Sequence, residues 1–224
     1  MSQFNRNELI SLANICHKNG LYHDAISYMK EVTKLGTPLN FEERDVLFRS
    51  CDKMIKPYVY SHDSSGKSGV DEKLQREINQ KAKSKVYGLC DEVIQLLDSE
   101  CVKSDTNIEA FAHYKCFRAC LHKWKGLVAS GADRQLELNK SLTGLEEAYK
   151  IGKNLKPAHP VAILTALDFS ALHFDLTDTV DENLAIATEA YNEGSSHLSE
   201  VSGELKSYSI KFLEELQDNI QEWS

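Results

Sequence analysis

The residues best placed by type and spacing to do chemistry are His113, Cys116, Cys120 and Lys123. They recur at three- and four-residue steps and so share one face of a helix, with His122 beside them. Imidazole and thiolate bind zinc-type ions, and a thiolate next to an imidazole can also act as a nucleophile pair. A stable metal site needs about four ligands closing on one point. One helix cannot supply them, and the chain has no CxxC or HxxH elsewhere. Sequence neighbours on a helix do not face each other, so a Cys–His nucleophile is unsupported. These cysteines are expected to be small core residues, with no metal and no cofactor.

The second candidate is the carboxylate pair Asp168 and Asp175, seven residues apart and nearly on one face. At 1.5 Å rise per residue they would sit about 10 Å apart, with no other catalytic signature around them. A hydrolase built on this pair is the weakest reading, and the chain is expected not to be an enzyme. Their segment is otherwise apolar almost all round, from Val161 and Ile163 through Leu167 and Phe169 to Leu176. An unpaired buried carboxylate is costly, so either this acidic edge meets water or the face lines a groove. The third candidate, Gly66-Lys67-Ser68, hints at a phosphate loop. The glycine that such a loop needs five residues earlier is Ser61, and no strand precedes it.

The elements that must position these residues read as helices. Leu9, Leu12, Ala13 and Cys16 are at helical spacing, as are Tyr22, Ala25, Ile26, Met29 and Val32. Asn40 with Glu43 three positions on is a capping box opening the next helix, which contains Pro57 and should bend or loosen there. Ser61–Val70 reads as a loop, followed by a helix over about Asp71–Leu97 and another loop near Ser104–Asn107. Tyr114, Phe117, Leu121, Trp124 and Val128 form a stripe expected to be core, with Phe117 and Trp124 buried. Helices are then expected over Arg134–Leu155, from Pro160 onward, over Glu182–Tyr191 and over Glu204–Trp223. No strand pattern appears. The fold class is all-α, with nine antiparallel helices in a single domain over 1–224.

Composition narrows the partners. Of 224 residues, 42% are apolar and 27% charged, with a net charge of −8. A chain of that charge is not built for non-specific contact with nucleic acid or an anionic membrane, both of which select basic patches. The polar start and scattered cysteines suit a reducing compartment, the cytoplasm. Protein segments are the expected partners.

Read with its residues, this helical order resembles the 14-3-3 family of phosphoserine- and phosphothreonine-binding adaptors. The likeness lies in Asn7-Glu8-Leu9, in Ser27-Tyr28-Met29-Lys30 with Leu35-Gly36, and in Glu42-Glu43-Arg44. It continues through Lys156-Pro157-Ala158-His159-Pro160 to Ala166-Leu167-Asp168-Phe169-Ser170, and ends at Asp218-Asn219-Ile220 and Trp223. The resemblance implies a cup-shaped dimer whose subunits each carry an amphipathic groove. The groove holds phosphate on two basic residues of the third helix and an Arg-Tyr pair of the fifth. The matched positions here are Asp52, Val59, Lys123 and Trp124, joined by Leu167, Asp168, Asn219 and Trp223 elsewhere in the groove.

One cation, Lys123, is thus kept where three are usual, and Asp52 and Asp168 add negative charge. Glu215 and Glu222 stand where the family has leucines. Arg49, Lys53 and Lys56 remain in reserve on the third helix, on a face expected to be turned away from Asp52 unless Pro57 re-aims it. Asp24 and Lys81 fall near one family dimer salt bridge, while Leu21 replaces a basic residue of the other. The resemblance therefore implies an adaptor that binds protein segments, phosphorylated or not, with weak or altered phosphate dependence, as a homodimer or a heterodimer with family members. The alternative is a helical dimerisation partner that binds no phosphopeptide itself.

Overall fold

The computed structural model describes residues 4–64, 71–103, 106–177 and 179–224. Nine α-helices and a 3₁₀ turn at Leu198–Glu200 account for most of them, and there is no strand among the described residues. The helices are α1 (Arg6–Lys18), α2 (Tyr22–Lys34), α3 (Phe41–Ser64), α4 (Glu72–Lys103), α5 (Ile108–Leu127), α6 (Gly131–Gly152), α7 (Pro160–Leu176), α8 (Val180–Ser196) and α9 (Gly203–Trp223).

Local chemistry sets most helix starts. Asn5 and Glu8 form a reciprocal capping box on α1. The expected box on α3 is present: the Glu43 amide donates to Asn40 Oδ1 at 2.9 Å, and the Asn40 amide donates to Glu43 Oε2 at 3.0 Å. Asp71 accepts from the Lys73 amide at 2.8 Å to open α4, and Asn107 accepts from the Ala110 amide at 3.1 Å to open α5. His159 caps α7 through the Val161 amide, and Pro160 occupies the first helical position, where its missing N–H costs nothing.

Several expected boundaries are corrected. Helix α3 runs through Ser61 to Ser64, because Ser61 donates its hydroxyl to the Tyr58 carbonyl at 2.8 Å and tolerates the helical turn. The remainder of the expected loop, including Gly66-Lys67-Ser68, lies outside the described residues, as do Ser104, Asp105 and Asp178. Helix α4 continues past Leu97 to Lys103, α6 starts at Gly131, and α8 reaches both ways beyond Glu182–Tyr191 to Val180–Ser196. Trp124 is only half-buried, whereas Phe117 is buried as expected.

The chain divides into two compact units, Met1–Ser104 with Leu121–Leu138, and Asp105–Cys120 with Asn139–Ser224. In the first, α1, α2 and α3 pack on one another and α4 packs on α3. The apolar stripes of these helices bury Leu9, Met29, Leu47, Cys51, Ile55, Val86, Val93 and Leu97. Arg44 is almost completely buried there and donates to the Leu39 carbonyl at 2.7 Å. Arg6 joins α1 to the start of α3 by an ion pair with Glu43 at 2.6 Å.

In the second unit α7 packs on both α8 and α9, and α8 on α9. One of its apolar clusters is Cys116, Ala119, Leu145, Ala148, Phe169 and Leu172. The other is Ile163, Leu167, Ala187, Phe212, Leu213 and Leu216. Because α7 serves both clusters, it has to be apolar almost all round. Close approach of α5 and α6 requires Gly144: a Cβ there would stand 2.9 Å from the Ala119 Cβ. The Ser141 hydroxyl reaches the Ala119 carbonyl at 2.7 Å in the same contact.

Candidate functional site

Within the first unit, α3 and the end of α5 bring four of the singled-out residues together. Asp52 and Lys56 are one helical turn apart, and Lys56 Nζ lies 2.7 Å from Asp52 Oδ2. The same ammonium stands 5.7 Å from the centre of the Trp124 ring, and Lys123 Nζ stands 5.0 Å from it. The indole thus carries two cations, each contact worth about 0.5–1 kcal/mol at a partly exposed site. This is why Trp124 does not bury: its ring serves as a platform for two solvated ammonium groups. Val59, the other sequence-expected phosphate position on α3, is 6% exposed.

Lys56 is the residue whose expected face the structure corrects: it shares the face of Asp52. Its signal was plain, since positions 52 and 56 are four apart and must share a face. No change of helix direction at Pro57 is needed. The other two reserve cations go elsewhere: Arg49 Nε pairs with Asp45 Oδ2 at 3.3 Å, and Arg49 and Lys53 are both close to His17. Burial first, and then these two positive charges, lower the His17 pKa, while Asp45 opposes them.

Chemically, the cluster brings two ammonium groups together over one indole ring. It lacks the planar fork with which Arg grips two phosphate oxygens at once. Asp52 competes for one of the two ammonium groups.

Within the second unit, Leu167 is buried in its apolar cluster, and Asn219 and Trp223 lie half-buried on α9. Trp223 stacks on Phe174 with ring centres 4.6 Å apart and planes 11° from parallel. Asp168 is half-buried and accepts from two thiols through one oxygen, Cys116 Sγ at 3.3 Å and Cys120 Sγ at 3.4 Å. The hydrogen bond with Cys120, burial and the Asp168 charge together push the Cys116 thiol well above its ordinary range. Asp175, by contrast, is exposed. The two carboxylates of α7 therefore occupy different environments. Glu215 is paired with Lys211 at 3.5 Å, and Glu222 is exposed.

His122 stands apart from Cys116 and Cys120. Its Nδ1 lies 2.6 Å from Glu137 Oε2, and Glu137 Oε1 is 3.4 Å from Lys125 Nζ. Lys125 also reaches the exposed Asp91 at 2.8 Å, so a polar chain whose other members are buried ends at the surface of the first unit. Asp24 and Lys81 are solvent-exposed at their side chains by 58% and 74%. Within the chain Asp24 lies 3.6 Å from His23, and Lys81 pairs with Glu77 at 2.8 Å. No helix among the described residues is long and apolar enough to cross a membrane.

The chain is similar to known proteins along most of its length. The sequence model of the family described as 14-3-3 protein matches residues 12–224. The chain is 27% identical to the 14-3-3 protein beta/alpha-B of Xenopus laevis, over 98% of its own length and 93% of that protein. It is 25% identical to 14-3-3 protein 2 of Entamoeba histolytica, with 98% and 96% covered. With the 14-3-3 protein beta/alpha of Bos taurus the identity is 26%, over 98% and 92%.

Proposed function

The chain belongs to the 14-3-3 family, whose members are adaptors and not enzymes, and on that premise we propose that it binds segments of partner proteins with a phosphate dependence weaker than the family mechanism gives. The observation that supports this is Asp52. It stands at a position where the family resemblance expects a cation, and it holds Lys56 in an ion pair at 2.7 Å. An incoming phosphate would have to compete with that carboxylate for Lys56 and meet its charge at short range, a cost of the order of 1 kcal/mol or more at effective protein dielectric.

Asp168 adds a second carboxylate at a groove position, and Leu167, Asn219 and Trp223 keep the family's groove residue types. Paired titrations of one peptide with and without its phosphate test the reading. The expected ratio of the two affinities is small, with the phosphorylated form binding at least tenfold more weakly than it binds a family relative, about 1.4 kcal/mol. A phosphopeptide affinity equal to that of the relative would overturn it.

The same carboxylate favours a second reading, a dimerisation partner that takes no phosphopeptide at all. In that case neither peptide binds, while the protein still pairs with family members. Dimerisation itself is part of the proposal. Asp24 and Lys81 would meet across the subunit boundary, and exposed Ile15 on α1 and Leu21 just before α2 supply apolar surface. A surface ion pair contributes less than about 1 kcal/mol, so such apolar contacts would provide most of the affinity. Sedimentation equilibrium at micromolar concentration is expected to give twice the 25.3 kDa chain mass. A monomer that pairs only when a family relative is added would favour the heterodimer. The free thiols at Cys16, Cys51, Cys90, Cys116 and Cys120 fit work in the reducing cytoplasm.

A further inference from the structure

We propose that Cys116, Cys120 and Asp168 form a binding site for a thiophilic divalent cation of the zinc and cadmium class. The two cysteines are one turn apart on α5, so their sulfurs lie side by side, and Asp168 is presented from α7. The candidate ligand atoms of all three residues lie within 4.8 Å of one another. A tetrahedral zinc centre with Zn–S near 2.3 Å and Zn–O near 2.1 Å has edges of about 3.6–3.8 Å. The observed separations of Asp168 Oδ2 from the two sulfurs, 3.3 and 3.4 Å, are close to those edges already. Small side-chain rotations would open the space that the ion needs.

The surroundings favour a held ion over a mobile surface one. Phe169, Leu172, Leu145 and Ala148 pack around Cys116, which fixes the back of the cluster. Cys120 and Asp168 are half-buried, so the opposite side is open for entry and for a solvent molecule in the fourth position. Thiolate donors select zinc and its softer congeners over magnesium or calcium, which take oxygen ligands.

The chemistry balances simply. The divalent ion enters, two S–H bonds break, two metal–sulfur bonds form, and two protons leave to solvent. The Asp168 carboxylate exchanges its two thiol donors for one bond to the metal. Because protons are displaced, binding strengthens as pH rises. The site rests on the geometry of the second unit; it shares Asp168 with the proposed groove but needs nothing of the phosphate pocket around Asp52.

Titration of the reduced 224-residue chain with cadmium, followed by sulfur-to-metal charge-transfer absorbance, is the test. One equivalent is expected to saturate the band. Cys120→Ser should weaken binding by about 100-fold, the upper end of what losing even a supporting partner of a metal ligand costs. Asp168→Asn should weaken it by at least about tenfold. Cys16→Ala, on α1 in the first unit, should leave it unchanged. Cys120 is half-exposed, so its serine variant is expected to fold, and circular dichroism checks that. The proposal is overturned by the absence of any band, by a band that Cys120→Ser leaves intact, or by one that Cys16→Ala removes equally.

Discussion

Asp52→Lys is expected to tighten binding of a family-type phosphopeptide by at least about tenfold, or roughly 1.4 kcal/mol. The substitution acts twice. It removes the carboxylate that holds Lys56 at 2.7 Å, and it puts a further ammonium on the same face of α3. Lys56 and Lys123, both over the Trp124 ring, then meet the anion without the Asp52 carboxylate holding one of them. The pair is partly exposed, 27% at Asp52 and 38% at Lys56, so solvent screening keeps the gain well below the interior Coulomb figure.

The companion change Val59→Arg, attractive from sequence, is less useful once the burial of Val59 is known. A guanidinium must there replace an apolar side chain that is 6% exposed, and overpacking costs about 1–3 kcal/mol. The single variant is therefore the cleaner instrument. Calorimetry with one peptide on both proteins measures the effect, and raising the salt should diminish it. Tight binding by the unaltered protein that survives Lys123→Glu would show that phosphate is held elsewhere.

Glu137→Ala is expected to destabilise the fold by about 3–5 kcal/mol, because it strips a largely buried ion network of its central acid. Lys125 Nζ and His122 Nδ1 both meet this carboxylate, and all three residues are buried. Urea unfolding at neutral pH would read the loss as a lower midpoint with an unchanged slope. Replacing the acid and its partner together, Glu137→Leu with Lys125→Met, should recover most of the loss, since an apolar pair of similar volume substitutes well for buried charges.

The pH dependence has a definite sign. Burial alone lowers the Lys125 pKa, but the hydrogen bonds and charges of Asp91 and Glu137 outweigh it, and the net shift is upward. A lysine raised in the folded state contributes fully below its unfolded value near 10.4 and loses that contribution as pH climbs through the folded value. The gap between Glu137→Ala and the unaltered protein should therefore hold through neutral pH and narrow only in strong alkali. A gap that closes already between pH 7 and 9 would exclude Lys125 as the group responsible.

What the sequence determined by itself is local. Asn40 with Glu43, His159 with Pro160, and the three- and four-residue stripes at Leu9, Met29, Leu47 and Leu121 act within a turn or two of backbone. They predict helices with little reference to the rest of the chain. The Asp52–Lys56 pair is legible on the same grounds, since one helical turn separates them.

Other features depend on how each helix is rotated against its neighbours, which packing decides across long separations in sequence. Asp168 meets Cys116 and Cys120 across 52 and 48 positions, and no spacing rule connects residues that far apart. Trp124 lies on an apolar stripe, yet its ring stays half-exposed because Lys56 on another helix comes to rest over it. His122 and Lys125 lie in the same polar and apolar sequence pattern as their neighbours. Only the approach of Glu137 and Asp91 turns them into a buried charge network, because a charge leaves water only where tertiary structure delivers its partner.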